Sequence, residues 1–209
     1  MEYNNGESGK VRFESVPSFV FSLDQQVHLE PYGDIVYDIS FGGAFYALVD
    51  AKYFGLDLTT ASESEIQAAG KRLNNQLRSV VRLEHPDSSD LAFLYGTIIT
   101  DGKDDYNTST RSSNVCIFAD GQVDRSPTGS GVQARLALQY HKGLIKVGQV
   151  KTFVESLVGS EFSGQVLREE ACGKHRGVVL EVSGKGHYTG TASFWQEMDD
   201  PLKNGFLLQ

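Results

Sequence analysis

The chain has 209 residues, enough to bury a substantial core as one large domain or two small ones. Hydrophobic residues make up 40% and charged residues 22%, as in soluble globular proteins, and no apolar stretch approaches the length of a membrane-spanning helix. A formal net charge of −8, with no stripe of Lys and Arg, argues against a nucleic-acid backbone or an anionic membrane as partner.

The 22 glycines and 12 phenylalanines favour a β-rich fold with many tight turns. The polar, acidic start "MEYNNGESGK" has neither the apolar run of a signal peptide nor the basic character of a transit peptide. "VRFESVPSFVFSL" (residues 11–23) alternates apolar and polar side chains around Pro17, which predicts extended chain with a bulge or edge at the proline. "DIVYDISFGGAFYALVDA" (34–51) predicts two strands joined at Gly42-Gly43. The period then changes. Ile66, Ala69, Leu73, Leu77 and Val80 recur at helical spacing, which predicts an amphipathic helix over 63–83, capped by Thr60 or Ser62 and ended by Pro86.

"LAFLYGTIIT" (91–100) predicts an apolar strand, "DGKDDYNTSTRSSN" a polar loop and "VCIFA" a short buried strand. "DRSPTGSGVQARLAL" (124–138) reads as a loop that becomes a helix over about 130–140, stopped at Gly143 after His141 and Lys142. The remaining segments, "QVKTFVESL", "GQVLREEA", "GVVLEVSG" and "HYTGTASFWQE", read as β-like. The fold class is therefore α+β, with mostly antiparallel strands packed with two helices.

The glycine-rich helix start is the segment with most chemical meaning. The first N–H groups of a helix have no partner within it, and the helix dipole places partial positive charge there. Glycines let an anion approach, so a carboxylate or phosphate is one reading; a plain helix capped by Thr128 or Ser130 is the other. Gly129-x-Gly131-x-x-Ala134 matches a dinucleotide fingerprint by letter, but "DRSPT" stands where an apolar strand must enter and no βαβ alternation surrounds it. Asp101, Asp104 and Asp105 fail the spacing of a calcium loop and read as a solvated loop. The five histidines are scattered, with no zinc spacing. Cys116, inside "NVCIFA", reads as a buried inert thiol; with Cys172 in a polar turn and no CxxC, a disulfide framework is not supported, which favours a reducing, cytoplasmic setting.

"DRSPTGSG" resembles the second active-site motif of the proline racemase family, whose fold is that of diaminopimelate epimerase. In the family's racemases and epimerases a cysteine stands at the position of Thr128; threonine there resembles the branch that dehydrates trans-3-hydroxy-L-proline. "DIVYDISFGGAFYALVDA", "HPDSSDLAFLYGTIITDGKDDY", "NVCIFADGQVDRSPTGSGVQARLALQYHKG" and "GHYTGTASF…DDPLKNGFLL" are similar to that branch as well. The resemblance implies a lobe of mostly antiparallel strands wrapped around a central helix. It further implies that residues 1–186 form the second lobe, beginning at the crossing between lobes, and that 187–209 form a C-terminal return. The family's Met-Cys-Gly-His motif occurs nowhere in these residues, so the first lobe is expected to be absent.

What the resemblance implies chemically is a proline-like ring whose carboxylate is held by the backbone N–H groups of Gly129 and Ser130. Asp124 corresponds to the residue that contacts the ring amine; an Asx turn or cap before Pro127 is its structural alternative. A thiol with a free pKa of roughly 8.5 can act as acid or base, whereas a threonine hydroxyl does not ionise near neutral pH. With Thr128 on one face, one base remains, which suffices for eliminating water to give Δ1-pyrroline-2-carboxylate. The resemblance implies no metal or organic cofactor, a small-molecule partner (hydroxyproline), and allows a homodimer. The alternative is a non-catalytic fragment acting as a carboxylate-binding or interaction module.

Overall fold

The computed structural model describes residues 3, 4 and 6–205 of the chain. The last letters of "DDPLKNGFLL", and with them the end of the expected C-terminal return, lie outside the described residues. In chain order the strands are β1 (Tyr3–Asn4), β2 (Glu7–Ser8), β3 (Lys10–Glu14), β4 (Ser18–Leu29), β5 (Gly33–Phe41) and β6 (Phe45–Asp50). Helix α1 (Glu63–Val80) follows, then β7 (Leu94–Thr100), β8 (Arg111–Phe118) and β9 (Gln122–Val123). Helix α2 (Gly129–His141) precedes β10 (Lys151–Glu155), β11 (Glu161–Glu169) and β12 (Gly177–Lys185).

The strands pair in the order β10-β11-β12-β4-β5-β6-β7-β8, and β8 pairs in parallel with β10, so the sheet closes on itself. Most pairs are antiparallel; β6 with β7 is the other parallel one, bridged by a crossover that contains α1. Helix α2 runs inside the closed sheet. Nine consecutive residues, Gly131 to Gln139, are buried, so the helix has no solvent face. Burial on every side is what a central helix shows, and here it takes in three polar side chains, Gln133, Arg135 and Gln139, beside the apolar ones. The expected wrapping around a central helix is therefore observed, with α2 as that helix and α1 outside.

Period-two alternation explains how one sheet serves two cores. In β6, Phe45, Ala47 and Val49 face the cluster under α1, while Tyr46 and Leu48 face α2. In β8, Val115 and Ile117 face α1 and Cys116 faces α2. Helix α1 starts at a capping box, with Ser62 and Glu65 bonding each other's backbone N–H, and presents Ile66, Ala69, Leu73 and Leu77 to the sheet.

Four expectations need correction. Helix α1 ends at Val80, before the expected 83: Val80 points to solvent, so the buried stripe has run out, and Arg78 ties the last turn to the carbonyls of Leu94 and Tyr95 at 3.2 Å. Strand β8 begins at Arg111, inside the expected polar loop, because pairing with β10 extends it and Ser112 and Asn114 are polar residues turned inward. The acidic loop is not simply solvated. Asp101 accepts from Ser112 Oγ at 2.6 Å and Ser113 N–H at 2.7 Å, and Asp104 accepts from Arg135 Nη2 at 2.5 Å and Gln139 Nε2 at 2.7 Å. "HYTGTASFWQE" forms no strand; Phe194 and Trp195 are each 93% exposed, so its apolar side chains bury nothing.

Candidate functional site

The "DRSPT" turn is held rigidly before the chain enters α2. The Asp124 N–H donates to the Cys116 carbonyl at 3.0 Å, Asn114 Nδ2 to the Pro127 carbonyl at 3.2 Å, and Ser160 Oγ to the Arg125 carbonyl at 2.7 Å. Asp124 Oδ1 accepts from the Ser126 N–H at 2.8 Å, an Asx turn, so the structural role open to this residue is in place. Its other oxygen, Oδ2, accepts from Thr128 Oγ1 at 2.8 Å. A carboxylate offers about four lone-pair sites, so two donors leave room for a third.

Thr128 is the residue before the helix and sits at φ 68°, ψ 104°. A β-branched residue at positive φ is strained, at a cost of about 1–3 kcal/mol, and such strain gathers at functional sites. Its hydroxyl is turned to Asp124, and no side chain caps α2. The plain capped helix, by Thr128 or Ser130, is thus not what the chain builds. The first helical bond runs from the Val132 N–H to the Thr128 carbonyl at 2.7 Å, and the N–H groups of the first turn project from an uncapped, positively polarised end.

The glycines around this end divide by function. A Cβ on Gly42 would lie 2.2 Å from the Ser130 carbonyl oxygen, and one on Gly131 2.6 Å from Ile98 Cδ1, so both serve close packing. A Cβ on Gly129 would meet only Phe13 Cζ, at 3.9 Å. The chain tolerates a side chain there; what glycine keeps open is the approach to the helix end.

Ser130 Oγ pairs with the Tyr46 hydroxyl at 2.7 Å. Burial, with Cys116, Tyr95 and Asp124 nearby, pushes the Tyr46 hydroxyl well above its ordinary range, so it stays protonated. The Tyr46 ring meets Tyr95 edge-on at 5.6 Å, and Tyr95 stacks on Phe118 at 5.6 Å. Cys116 stands beside the Thr128 hydroxyl; burial pushes its thiol up to about 12, with the Asp124 charge adding to this, so it is an inert thiol at neutral pH. Cys172 is buried rather than exposed in its turn, and burial together with Asp87 raises its thiol too. Neither cysteine is a thiolate base. Among the described residues no group of three or more His, Cys, Asp or Glu is arranged to hold a metal ion.

The arrangement offers backbone donors and a helix dipole for a small carboxylate, with an anionic Asp124 one turn away for a cation. The family model described as Proline racemase matches residues 1–207. The chain belongs to the proline racemase family. It is 51% identical over 209 residues to the trans-L-3-hydroxyproline dehydratase of Saccoglossus kowalevskii, covering 100% of this chain and 64% of that protein. It is 53% identical over 201 residues to the trans-3-hydroxy-L-proline dehydratase of Homo sapiens, covering 96% of this chain and 56% of that one. A hydroxyproline epimerase from Agrobacterium vitis, solved with bound trans-4-hydroxy-L-proline, superposes with a TM-score of 0.85 at 28% identity, over 99% of this chain and 58% of that chain. A probable proline racemase from Agrobacterium radiobacter K84, solved with bound carbonate, gives 0.83 at 30% identity, over 99% and 59%. The chain thus spans between 56% and 64% of these proteins' lengths.

In this proline racemase family member the four residues singled out from the sequence, Asp124, Thr128, Gly129 and Ser130, meet at one helix end. Sequence reasoning missed Tyr46, whose phenol is hidden in the apolar strand "FYALVD"; the only signal is its even position, which places it on the α2 face. A cavity of about 360 Å³ lies toward the other end of α2, lined in part by Asp38, Asp104, Arg135 and Lys142.

Proposed function

We propose that this chain carries the carboxylate-binding half of a dehydratase site that converts trans-3-hydroxy-L-proline to Δ1-pyrroline-2-carboxylate. The observation that carries the reading is the uncapped start of α2, with the Thr128 hydroxyl given to Asp124. The substrate carboxylate sits on the N–H groups of Gly129 and Ser130, and Asp124 faces the ring ammonium. Neutralising the carboxylate also stabilises the charge that builds on it as the α-proton leaves. Support comes from relatives named for this reaction and from neighbours holding carbonate and trans-4-hydroxy-L-proline.

Thr128 makes elimination the economical outcome. Its hydroxyl does not ionise near neutral pH, so it cannot return a proton to the opposite face of the α-carbon. One base removes the α-proton, the C–H electron pair forms the ring double bond as the C3–O bond breaks, and the departing hydroxyl takes up the proton carried by the base and leaves as water; the enamine then tautomerises to the cyclic imine. The base is a cysteine of a Met-Cys-Gly-His motif, which these residues do not contain. On this reading the whole protein is a hydro-lyase; the two free cysteines favour a cytoplasmic setting and the net charge of −8 argues against a nucleic-acid partner, and a homodimer is its proposed assembly. Residues 1–186 serve as the second lobe and 187–209 as the return segment.

The test joins this chain to the Met-Cys-Gly-His-bearing segment of a relative and follows the imine formed from trans-3-hydroxy-L-proline. The hybrid is expected to dehydrate it and not to epimerise it. Thr128→Cys places a second thiol at the helix tip and is expected to add α-deuterium uptake with inversion in heavy water. A hybrid that folds and forms no imine would overturn the reading; the 209-residue chain by itself is expected to form none.

A further inference from the structure

Strand β3 carries a phenylalanine that the fold does not use. Phe13 is 48% exposed on a strand that, among the described residues, pairs only with β12. It lies opposite Val182, which is buried in the cluster around Val132 of α2. Residues opposite each other in an antiparallel pair share a face, so the Phe13 ring is directed to the α2 side of the sheet. There it reaches the helix start: of all heavy atoms outside the local backbone, Phe13 Cζ is the one that a Cβ on Gly129 would meet, at 3.9 Å. A half-exposed aromatic ring thus stands beside an uncapped set of backbone donors.

Those two features suit one kind of guest. The helix end takes a carboxylate but offers no apolar surface of its own, since Gly129 has no side chain and Ser130 is engaged with Tyr46. A carboxylate joined directly to a small ring, seated on the Gly129 and Ser130 amides, brings that ring within contact distance of Phe13. The polarised C–H groups next to the ring nitrogen suit an aromatic face. We infer that Phe13 is a specificity-determining residue, packing against the ring of a cyclic carboxylate held at the start of α2 and so favouring proline-like ligands over open-chain acids. The inference rests on the carboxylate site proposed above.

Two probes separate the ring contact from the carboxylate contact: pyrrole-2-carboxylate, which has both groups, and acetate, which has only the second. Each is titrated into the full 209-residue chain, with amide shifts of Gly129 and Ser130 followed by NMR. Phe13→Ala is expected to weaken pyrrole-2-carboxylate about tenfold, the scale of one lost apolar contact, and to leave acetate unchanged. Phe13→Leu should restore most of the loss, and Gly129→Val should weaken both probes. Phe13 is half-exposed, so the variants should keep a cooperative native transition, and the comparison of the two probes within each variant cancels any small loss of stability. If Phe13→Ala binds pyrrole-2-carboxylate as the native chain does while Gly129→Val fails to, Phe13 has no such role and the carboxylate site stands. If Phe13→Ala weakens both probes equally, the ring shapes the helix end rather than the ligand contact, and the inference falls. If Gly129→Val binds both probes normally, or the native chain shows no saturable binding of either, the carboxylate site falls and this inference with it.

Discussion

The two ends of α2 treat their polar groups in opposite ways. Around the middle of α2 and toward its C-terminal end, the charged side chains find protein partners, although Arg135 Nε and Gln139 Oε1 find none among the described residues. Arg135, 1% exposed, donates to Asp104 at 2.5 Å, Ser112 at 2.7 Å and Asn114 at 3.1 Å, and lies over the Phe153 ring. Lys151, also buried, donates to the carbonyls of Lys103, Asp104 and Ser109 at 2.6, 2.9 and 3.1 Å. At the N-terminal end the obvious cap is turned aside, and the first amides are left for something else. One helix thus has a structural end, where charge is neutralised internally, and an uncapped end, the proposed binding end, which Thr128 enters at positive φ. A buried charge plug is an expensive way to fill a barrel.

The largest effect should come from breaking the structural end. Arg135→Met takes the cationic partner from Asp104, which keeps only Gln139, and the donor from the Oδ1 of fully buried Asn114, and is expected to lower the unfolding free energy by about 3 kcal/mol in urea titrations. Adding Asp104→Asn removes the uncompensated charge and should recover part of that loss. A change at the binding end such as Gly129→Val should cost far less, since only Phe13 stands near its Cβ. Equal destabilisation by both would erase the contrast between the ends.

The second effect is a pH dependence belonging to the same plug. Burial, reinforced by the Arg135 guanidinium, pushes the Lys151 ammonium down from 10.5 to about 8. Between those values the unfolded chain binds a proton that the native chain does not, so the contribution of Lys151 to stability rises with pH through that window. Measured as the native chain minus Lys151→Met, the difference in unfolding free energy should grow by about 2 kcal/mol from pH 8 to pH 10. The subtraction cancels the tyrosines, which titrate alike in both proteins. A flat difference would mean that the carbonyl cage offsets burial completely.

Much of this was legible in the sequence because it is local. The change from period two to period 3.6, the Gly42-Gly43 hairpin and the Ser62 cap each rest on neighbouring residues, and each is found where expected. The glycine-rich helix start with Thr128 at its tip is also local, whereas the roles given to Asp124, Gly129 and Ser130 came from the resemblance of "DRSPTGSG" to the family's motif. What escaped depends on residues far apart in the chain. Strand β8 is lengthened by a parallel partner about forty residues away, Asp104 looks solvated until Arg135 is folded over it, and Tyr46 and Phe13 reach the site only once the sheet closes around α2. "HYTGTASFWQE" failed for the opposite reason: its composition suits a strand, but strand propensity acts through packing and burial, and its apolar side chains bury nothing.

The smallest effect is the most informative about the binding end, because Asp124 has two roles that one substitution can separate. Asp124→Asn keeps an oxygen for the Ser126 N–H, so the Asx turn survives, and its amide can donate to the Thr128 hydroxyl in place of accepting from it. The fold should be unchanged. What disappears is the negative charge. L-proline presents a carboxylate and a ring ammonium, whereas pyrrole-2-carboxylate presents a carboxylate and an uncharged N–H. If Asp124 faces the ammonium, the asparagine variant should bind L-proline about tenfold more weakly, the scale of a charge-assisted hydrogen bond. It should bind pyrrole-2-carboxylate as well as before or slightly better, since an anion near a carboxylate has been removed. Calorimetric titration of both ligands into both proteins reads the difference directly. An equal loss for the two ligands would make Asp124 a residue of the turn alone, and its hydrogen bond to Thr128 would then be what shapes the helix end. No loss for either would take Asp124 out of the site while leaving the amides of Gly129 and Ser130 in it.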